Sequence, residues 1–410
     1  MNMLIKIIRT GLHYCKRCVI CIIRFIISSV PKDRNLVLFS AWFGQKYADS
    51  SKFMFEYLLA NSNYNVYWYT RNMKLYIQLK AQGIPTVYSK TIKSIWKQIR
   101  AVMLVSSVQL YDFSPYFLNR CIYFDLGHGF PIKQSGYEQP NTTPRLISYE
   151  LFLRKNIDYY MEASSYTTMK ITSRAFRVAP SHIAFANKAR TDVFFNKELR
   201  EGKNRVVDQL KAGKKAIVYM PTHRSCGSIP IKVNEIIDLI KIQIICERHD
   251  AVFLIKKHYY HRNEIESLYD YSNIFDITCD DVETQTLLYQ ADILISDYSA
   301  CYIDYLLLDK PIIFHAYDLE VFQKTEREMY FKFDDNDAGY KSKTKEELCD
   351  VLEKVCTTWK DEEHAKGREE VRIKYFDCDV PLGNAREEIK QIMGMIIANE
   401  YVPKWGRTRM

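Results

Sequence analysis

The chain has 410 residues, more than one ordinary hydrophobic core supports, so two domains are expected. Apolar and charged residues at 47% and 26% are the proportions of a folded globular protein and exclude a disordered or fibrous chain. The net charge of +9 sits at the ends, with +5 in residues 1–30 and +3 in the last ten, so the body is nearly neutral and a nucleic-acid groove is excluded.

Residues 1–30 interleave Lys6, Arg9, Lys16, Arg17 and Arg24 with apolar side chains and carry no acid. Their apolar runs are far shorter than the ~20 residues of a spanning helix. Arg24 also interrupts the apolar core that a secretory signal needs, and no small-residue cleavage site precedes Pro31. This pattern predicts one or two interfacial helices on an anionic membrane surface, against the plainer alternative of a helix packed on the body. Cys15, Cys18 and Cys21 form a CxxCxxC, but no fourth ligand lies nearby, so these are expected to be free cysteines in apolar packing rather than a metal site. The eleven cysteines show no paired framework, which points to a reducing compartment.

From Leu36 short apolar strands alternate with helices. Strands are predicted at 36–40, 65–69, 84–88, 102–106 and 121–125, and helices at 51–60 and 92–101. That alternation predicts a parallel sheet covered on both faces. The fifth strand runs into Gly127-His128-Gly129-Phe130-Pro131-Ile132-Lys133, which sets an imidazole between glycines at a strand's carboxyl end, where α/β sheets bind ligands. Residues 141–150 read as a polar, proline-containing loop over that end, and residues 185–192 as the boundary between domains.

A second series of strands begins at 215–220 and is followed by Pro221-Thr222-His223-Arg224, where an arginine fork suits phosphate oxygens and a surface ion pair is the plainer reading. The strand at 251–256 leads into Lys257-His258-Tyr259-Tyr260-His261. His258 is expected to be neutral beside two lysines and to hydrogen-bond phosphate, with His261 as its competitor. Residues 292–320 form a further β-α-β unit, in which the turn Ser296-Asp297-Tyr298-Ser299 precedes a helix over 300–308 and Asp309-Lys310-Pro311 ends it. Such a turn is either an anion site or a plain N-cap. It has no glycines, so it is neither a dinucleotide fingerprint nor a P-loop. Helices are predicted at 345–358 and 385–398, the latter after Asp377, Asp379 and Asn384.

The runs Ser296–Ser299, Asp304–Pro311 and Ala316–Glu320 resemble the SDYS…DYLLLDKPIIF…AYDLE signature of the CDP-glycerol glycerophosphotransferase family. Gly127–Lys133 is similar to that family's HGxPLK motif, Pro221–Arg224 to its PTWR motif and Lys256–Tyr259 to its KxHP element. Phe130, His223, Tyr259, Ala186 and Ala189 depart from the pattern. The resemblance spans about residues 36–398. It implies a GT-B-like fold, α/β, of two Rossmann-like domains facing across a cleft: a membrane-associating segment (1–30), an acceptor domain (31–190), a donor domain (191–382), and a closing helix with a basic tail (383–410).

It further implies transfer of glycerol phosphate from CDP-glycerol to a hydroxyl of a lipid-linked polyol-phosphate or glycan acceptor, with release of CMP, at the cytoplasmic face of the bacterial membrane. His128 would be the base, with Arg224 and His258 on the donor phosphates. Thr222, Ser296, Asp297, Tyr298, Ser299 and Asp304 would bind the donor, and Gly129 and Lys133 would lie on the acceptor side. No carboxylate cluster for a metal is evident in the sequence, so no metal or other cofactor is expected beside the CDP-glycerol substrate. The alternatives are CDP-ribitol as donor, a sugar-nucleotide glycosyltransferase of the same fold, and a membrane-bound homologue without turnover.

Overall fold

The structure, a computed structural model, describes residues 2–261, 268, 270–280, 282–376 and 381–403. Two parallel sheets organise it. The first has seven strands: β1 (Asp33–Phe39), β2 (Asn65–Thr70), β3 (Thr86–Tyr88), β4 (Ala101–Ser106), β5 (Cys121–Asp125), β6 (Ile157–Ala163) and β7 (Ile183–Phe185). They lie in the order β3-β2-β1-β4-β5-β6-β7. The second has six: β8 (Lys215–Met220), β9 (Ala251–Ile255), β10 (Ile274–Asp276), β11 (Ile293–Ser296), β12 (Ile312–His315) and β13 (Tyr340–Ser342), in the order β10-β9-β8-β11-β12-β13. Both orders reverse direction beside the first strand of the sheet, the switch point at which open α/β sheets bind ligands beyond the carboxyl ends. This is the GT-B-like arrangement that the sequence implies.

The strands read as unbroken apolar runs because both faces are covered. Val37 and Phe39 enter one core while Leu36 and Leu38 enter the opposite one. Ala216 and Val218 are separated from Ile217 and Tyr219 in the same way, since successive strand residues point to opposite faces. Helix Ala385–Ala398 inserts Ile389, Ile392, Met393 and Ile396 into the core of the first sheet. The Asp192 carboxylate fixes its start by accepting the N–H groups of Ala385 and Arg386 at 2.9 and 3.0 Å. Arg190 and Asp192 therefore act as anchors in the segment read as the domain boundary. Ala186 and Ala189 are packed in the first core.

Two local readings change, and the expectation of one or two amino-terminal helices narrows to one. Residues 144–154 form a helix rather than a loop: Thr143 caps it by accepting the Leu146 N–H, and Pro144 occupies the first turn, where a missing N–H costs nothing. The 300–308 helix is α-helical only over Cys301–Tyr305 and tightens to 3-10 at Leu306–Leu308 before Asp309 ends it with φ of 49°. The amino-terminal segment is one helix, Asn2–Ile27. It is partly docked, because Ile20 is buried and the Arg24 guanidinium donates to the carbonyl oxygens of Phe152 and Leu153. Its opposite face exposes Ile22, Phe25 and Ile26, and Cys15, Cys18 and Cys21 are exposed rather than packed. Among the described residues no helix is long and apolar enough to cross a membrane. Asp377, Asp379 and the basic tail from Lys404 lie outside the described residues.

Candidate functional site

Between the carboxyl ends of the sheets lies a cleft of about 1250 Å³. His128 enters it from the loop after β5. Gly127 has φ of 62°, a left-handed conformation that glycine adopts without strain. At Gly129, by contrast, an added Cβ would meet only the Ala300 Cβ, in ordinary contact. The loop then crosses to the second domain. Phe130 and Ile132 join that domain's core, and Ile132 accepts the Tyr330 N–H at 3.0 Å. Phe130, where the family pattern has a smaller residue, turns its ring onto Tyr375 and Phe376.

The hydrogen bonds assign both histidine tautomers. His128 Nδ1 lies 3.0 Å from the Ser107 carbonyl oxygen. A carbonyl only accepts, so Nδ1 carries the hydrogen and Nε2 presents a lone pair. His258 Nδ1 instead accepts the Tyr260 N–H at 3.3 Å, which leaves Nε2–H as a donor. Burial, reinforced by His223, Lys46 and His128, pushes His258 down to about 2, so it is a neutral donor until an anion arrives. The neutrality matches the sequence reading, but its largest cause is desolvation rather than the adjacent lysines.

Trp42 lies against both histidines, with ring centroids 5.2 Å from His128 and 6.0 Å from His258. It follows β1, and both Trp42 and Phe43 have positive φ (51° and 61°), a strain of roughly 1–3 kcal/mol per residue that the surroundings must hold. The indole N–H donates to Asp49 at 2.8 Å, and the Trp42 backbone N–H donates to Ser107 Oγ at 3.2 Å. Ser107 thus fixes Trp42 through its hydroxyl and His128 through its carbonyl. Sequence reasoning missed Trp42, although an aromatic beside Gly44 at the end of a first strand was the available signal.

Arg190 joins the domains. Its guanidinium pairs with Asp49 at 2.6 Å and with Asp304 at 2.9 Å, and both partners are largely buried. Asp304, expected near the donor, lines the cleft but is bound by Arg190 through both oxygens. Beneath the His128 loop, Lys188 donates to the Leu126 carbonyl oxygen at 3.1 Å and pairs with Glu162 at 3.2 Å. Burial pushes the Glu162 carboxyl up to about 7, against the pull of Lys188. Neither Lys188 nor Glu162 was singled out by the sequence.

The donor-side residues divide into a wall and a frame. Thr222, His223, His258 and Ser299 line the cleft. Arg224 is 7% exposed and its donors are taken up: Nε and one terminal nitrogen hold Asp318 at 2.8 and 2.9 Å, with further bonds to Asp297 and the Thr222 carbonyl oxygen. The expected phosphate clamp is therefore a strut. Asp297 accepts the Thr222 N–H and hydroxyl, Tyr298 donates to Asp318, and Ser296 donates to the Met220 carbonyl oxygen. Ser296, Asp297 and Tyr298 thus shape the turn from behind, because short polar side chains here satisfy the backbone of the neighbouring strand.

His261 is buried away from the cleft wall. Lys133, expected on the acceptor side, lies against the second domain instead, bridged to Met329 and set over the Phe322 ring. Burial, with Arg327 adding repulsion, pushes its ammonium down to about 7. His223 is pushed down to about 4 by burial and by Lys133, and its ring packs on His258 at 4.7 Å.

Two Rossmann-like halves on either side of a cleft lined by His128 and His258 define a protein of GT-B-like fold. Residues 22–393 match the family model described as CDP-glycerol:poly(glycerophosphate) glycerophosphotransferase, and the chain belongs to that family. It is 25% identical over 389 residues to a teichoic acid glycerol-phosphate transferase of Staphylococcus aureus, covering 89% of this chain and 94% of that protein. It is 31% identical over 194 residues to the teichoic acid ribitol-phosphate polymerase TarK of the same organism, covering 46% of this chain and 38% of that protein. A structure of the wall teichoic acid polymerase TagF, a variant soaked with CDPG, superposes with a TM-score of 0.73 at 22% identity and covers 97% of this chain and 98% of that one.

Proposed function

We propose that this protein transfers glycerol phosphate from CDP-glycerol to the terminal hydroxyl of a lipid-linked polyol-phosphate acceptor and releases CMP. The observation that carries this reading is the approach of His128 and His258 to the same indole, one presenting a lone pair and the other an N–H. The acceptor hydroxyl gives its proton to His128 Nε2 while its oxygen forms a bond to the β-phosphorus. The bond from that phosphorus to the bridging oxygen breaks, and the electron pair leaves on CMP. His258 Nε2–H and the Lys133 ammonium stabilise the charge gathering on the diphosphate oxygens, and Arg224 positions the wall through Asp297 and Thr222.

On this reading residues 31–190 bind the acceptor and 191–382 the donor, with Lys133 reassigned to the donor. The exposed apolar face of helix Asn2–Ile27, formed by Ile22, Phe25 and Ile26, fits a peripheral site on a membrane, where a lipid-linked acceptor is presented. The similarity to a ribitol-phosphate polymerase keeps CDP-ribitol as the second donor. CMP release measured with each donor, with and without a lipid-linked glycerol-phosphate acceptor, tests the proposal. Acceptor-dependent release from CDP-glycerol is expected. Release from neither donor would refute transfer, and release from CDP-ribitol alone would refute the polyol.

A further inference from the structure

Three loops at the carboxyl ends of β1, β4 and β5 carry Trp42, Ser107 and His128. The Ser107 carbonyl oxygen accepts His128 Nδ1–H, and the Ser107 hydroxyl oxygen accepts the Trp42 N–H. Ser107 is held in turn by Asp112, whose carboxylate is fully buried. Asp112 Oδ2 accepts the Ser107 and Val108 N–H groups at 2.8 and 3.0 Å, and Oδ1 accepts the Phe43 N–H at 2.5 Å.

Among the described residues these carboxylate oxygens bond to amides rather than to a cation. Burial pushes the Asp112 carboxyl up to about 6, with the Ser107 and Val108 amides opposing the rise and Asp125 adding to it. At pH 8 it is therefore an ionised, acceptor-only group, which three N–H partners require. Closing its own turn would account for the Ser107 and Val108 amides. It does not account for Phe43, which lies 69 residues earlier on another loop. That amide belongs to backbone at φ of 61°, beside Trp42 at 51°, a conformation that persists only where the surroundings fix it.

We infer that Asp112 is a positioning residue for the transfer reaction: it holds the Ser107 carbonyl where His128 keeps its hydrogen on Nδ1, and the Phe43 amide where Trp42 stays against both imidazoles. The inference rests on His128 acting as the base, as proposed above, and adds the group that fixes its tautomer. When the Ser107 carbonyl moves away, Nδ1–H loses its acceptor, the hydrogen shifts to Nε2, and no lone pair faces the acceptor hydroxyl. Asparagine at this position has one acceptor oxygen, and its amide nitrogen would confront an N–H group. It therefore cannot hold both loops.

The test compares the full chain with Asp112→Asn at pH 8, by single-turnover CMP release and by nitrogen NMR of protein labelled at histidine, with His128→Gln assigning the His128 signals. Wild-type His128 is expected to carry its hydrogen on Nδ1. In Asp112→Asn the hydrogen should be shared between Nδ1 and Nε2, and the rate should fall about 10–100-fold, the usual cost of a small misplacement. CDP-glycerol affinity should stay within about threefold, since the loss falls on the chemical step. Asp112→Asn/Phe43→Gly guards against a variant that fails to fold. Glycine takes a positive φ without strain, so it should raise the melting temperature without restoring tautomer or rate. Ser107→Ala keeps the carbonyl and all three amides, and should leave the hydrogen on Nδ1.

An Asp112→Asn protein that melts lower yet keeps Nδ1–H and the wild-type rate would overturn the inference, because Asp112 would then serve the fold alone. So would a loss that appears wholly as weaker CDP-glycerol binding. If release is lost in His128→Ala while Asp112→Asn keeps its rate, only this inference falls. If His128→Ala keeps the wild-type rate, the base assignment falls and this inference falls with it.

Discussion

Replacing Arg190 with methionine removes the cation from a junction that holds both domains. Asp49 and Asp304 would remain as carboxylates whose side chains are 10% and 3% exposed, with no other cation bonded to either among the described residues. Removing one partner of a buried ion pair costs about 3–5 kcal/mol, because the stranded charge keeps its desolvation penalty. With about 2.1 cal/mol/K of unfolding entropy per residue, a half of roughly 200 residues melting alone would lose about 10 °C for ~4 kcal/mol, and the whole chain melting as one unit about 5 °C.

Acidity separates this cause from lost packing. Burial already raises the Asp304 carboxyl above its ordinary value, and Arg190 opposes that rise. Without Arg190 the folded-state value climbs further above the unfolded one. A group raised in this way destabilises the fold at high pH and is relieved as it takes up a proton. Differential scanning calorimetry should therefore show a deficit of about 5–10 °C near pH 8 that narrows toward pH 5, and Asp304→Asn in the Arg190→Met background should recover part of it. Equal melting at pH 8, or a deficit that widens on acidification, would refute the reasoning.

Arg224→Lys keeps a charge but loses the fork that holds Asp318 and Asp297. Chemical denaturation should show a loss of about 2–3 kcal/mol, and the KM for CDP-glycerol should rise as the Thr222 wall loosens. Because burial pushes Lys133 down to about 7, it is charged below that pH and neutral above it. CDP-glycerol affinity should thus fall as pH rises through about 7, and Lys133→Arg should flatten the profile, since a guanidinium stays charged. On helix Asn2–Ile27, Phe25 is 82% exposed and Ile22 and Ile26 more than half exposed. Replacing all three with serine should lower co-sedimentation with anionic vesicles at least tenfold at unchanged melting temperature, since burying such side chains is worth about 1.5–3 kcal/mol each.

Much of the fold was legible because its signals are local. Strands such as Cys121–Asp125 and Lys215–Met220 are continuous apolar runs bounded by polar turns, and the helices at 345–358 and 385–398 have clear amphipathic periods. The misreading at Asn141–Glu150 has an equally local cause, since proline marks loops and first helical turns alike. The site was half legible. His128 and His258 stand out through their likeness to the family's HGxPLK and KxHP elements, since on the residue alone a structural turn histidine is the plainer reading. Arg224 and Asp297 were recognised as functional residues but given the wrong contacts, because a motif does not reveal which way a side chain turns. Trp42 was missed, and Arg190 was placed at the boundary without its partners, because their meaning lies in His258 and Asp304, more than a hundred residues away on the other domain, which no spacing records. Lys133 changed sides for the same reason: a loop that begins on one sheet and packs into the core of the other cannot be assigned from its sequence position.

The most direct test of the central claim is single-turnover CMP release from CDP-glycerol with a lipid-linked glycerol-phosphate acceptor, comparing wild-type protein with His128→Ala. If His128 Nε2 takes the acceptor's proton, the variant should bind donor normally and lose about 10²–10⁴-fold in rate, the usual worth of one placed acid–base group. Acceptor-dependent release at the wild-type rate in His128→Ala would leave the fold and the family intact and contradict the mechanism.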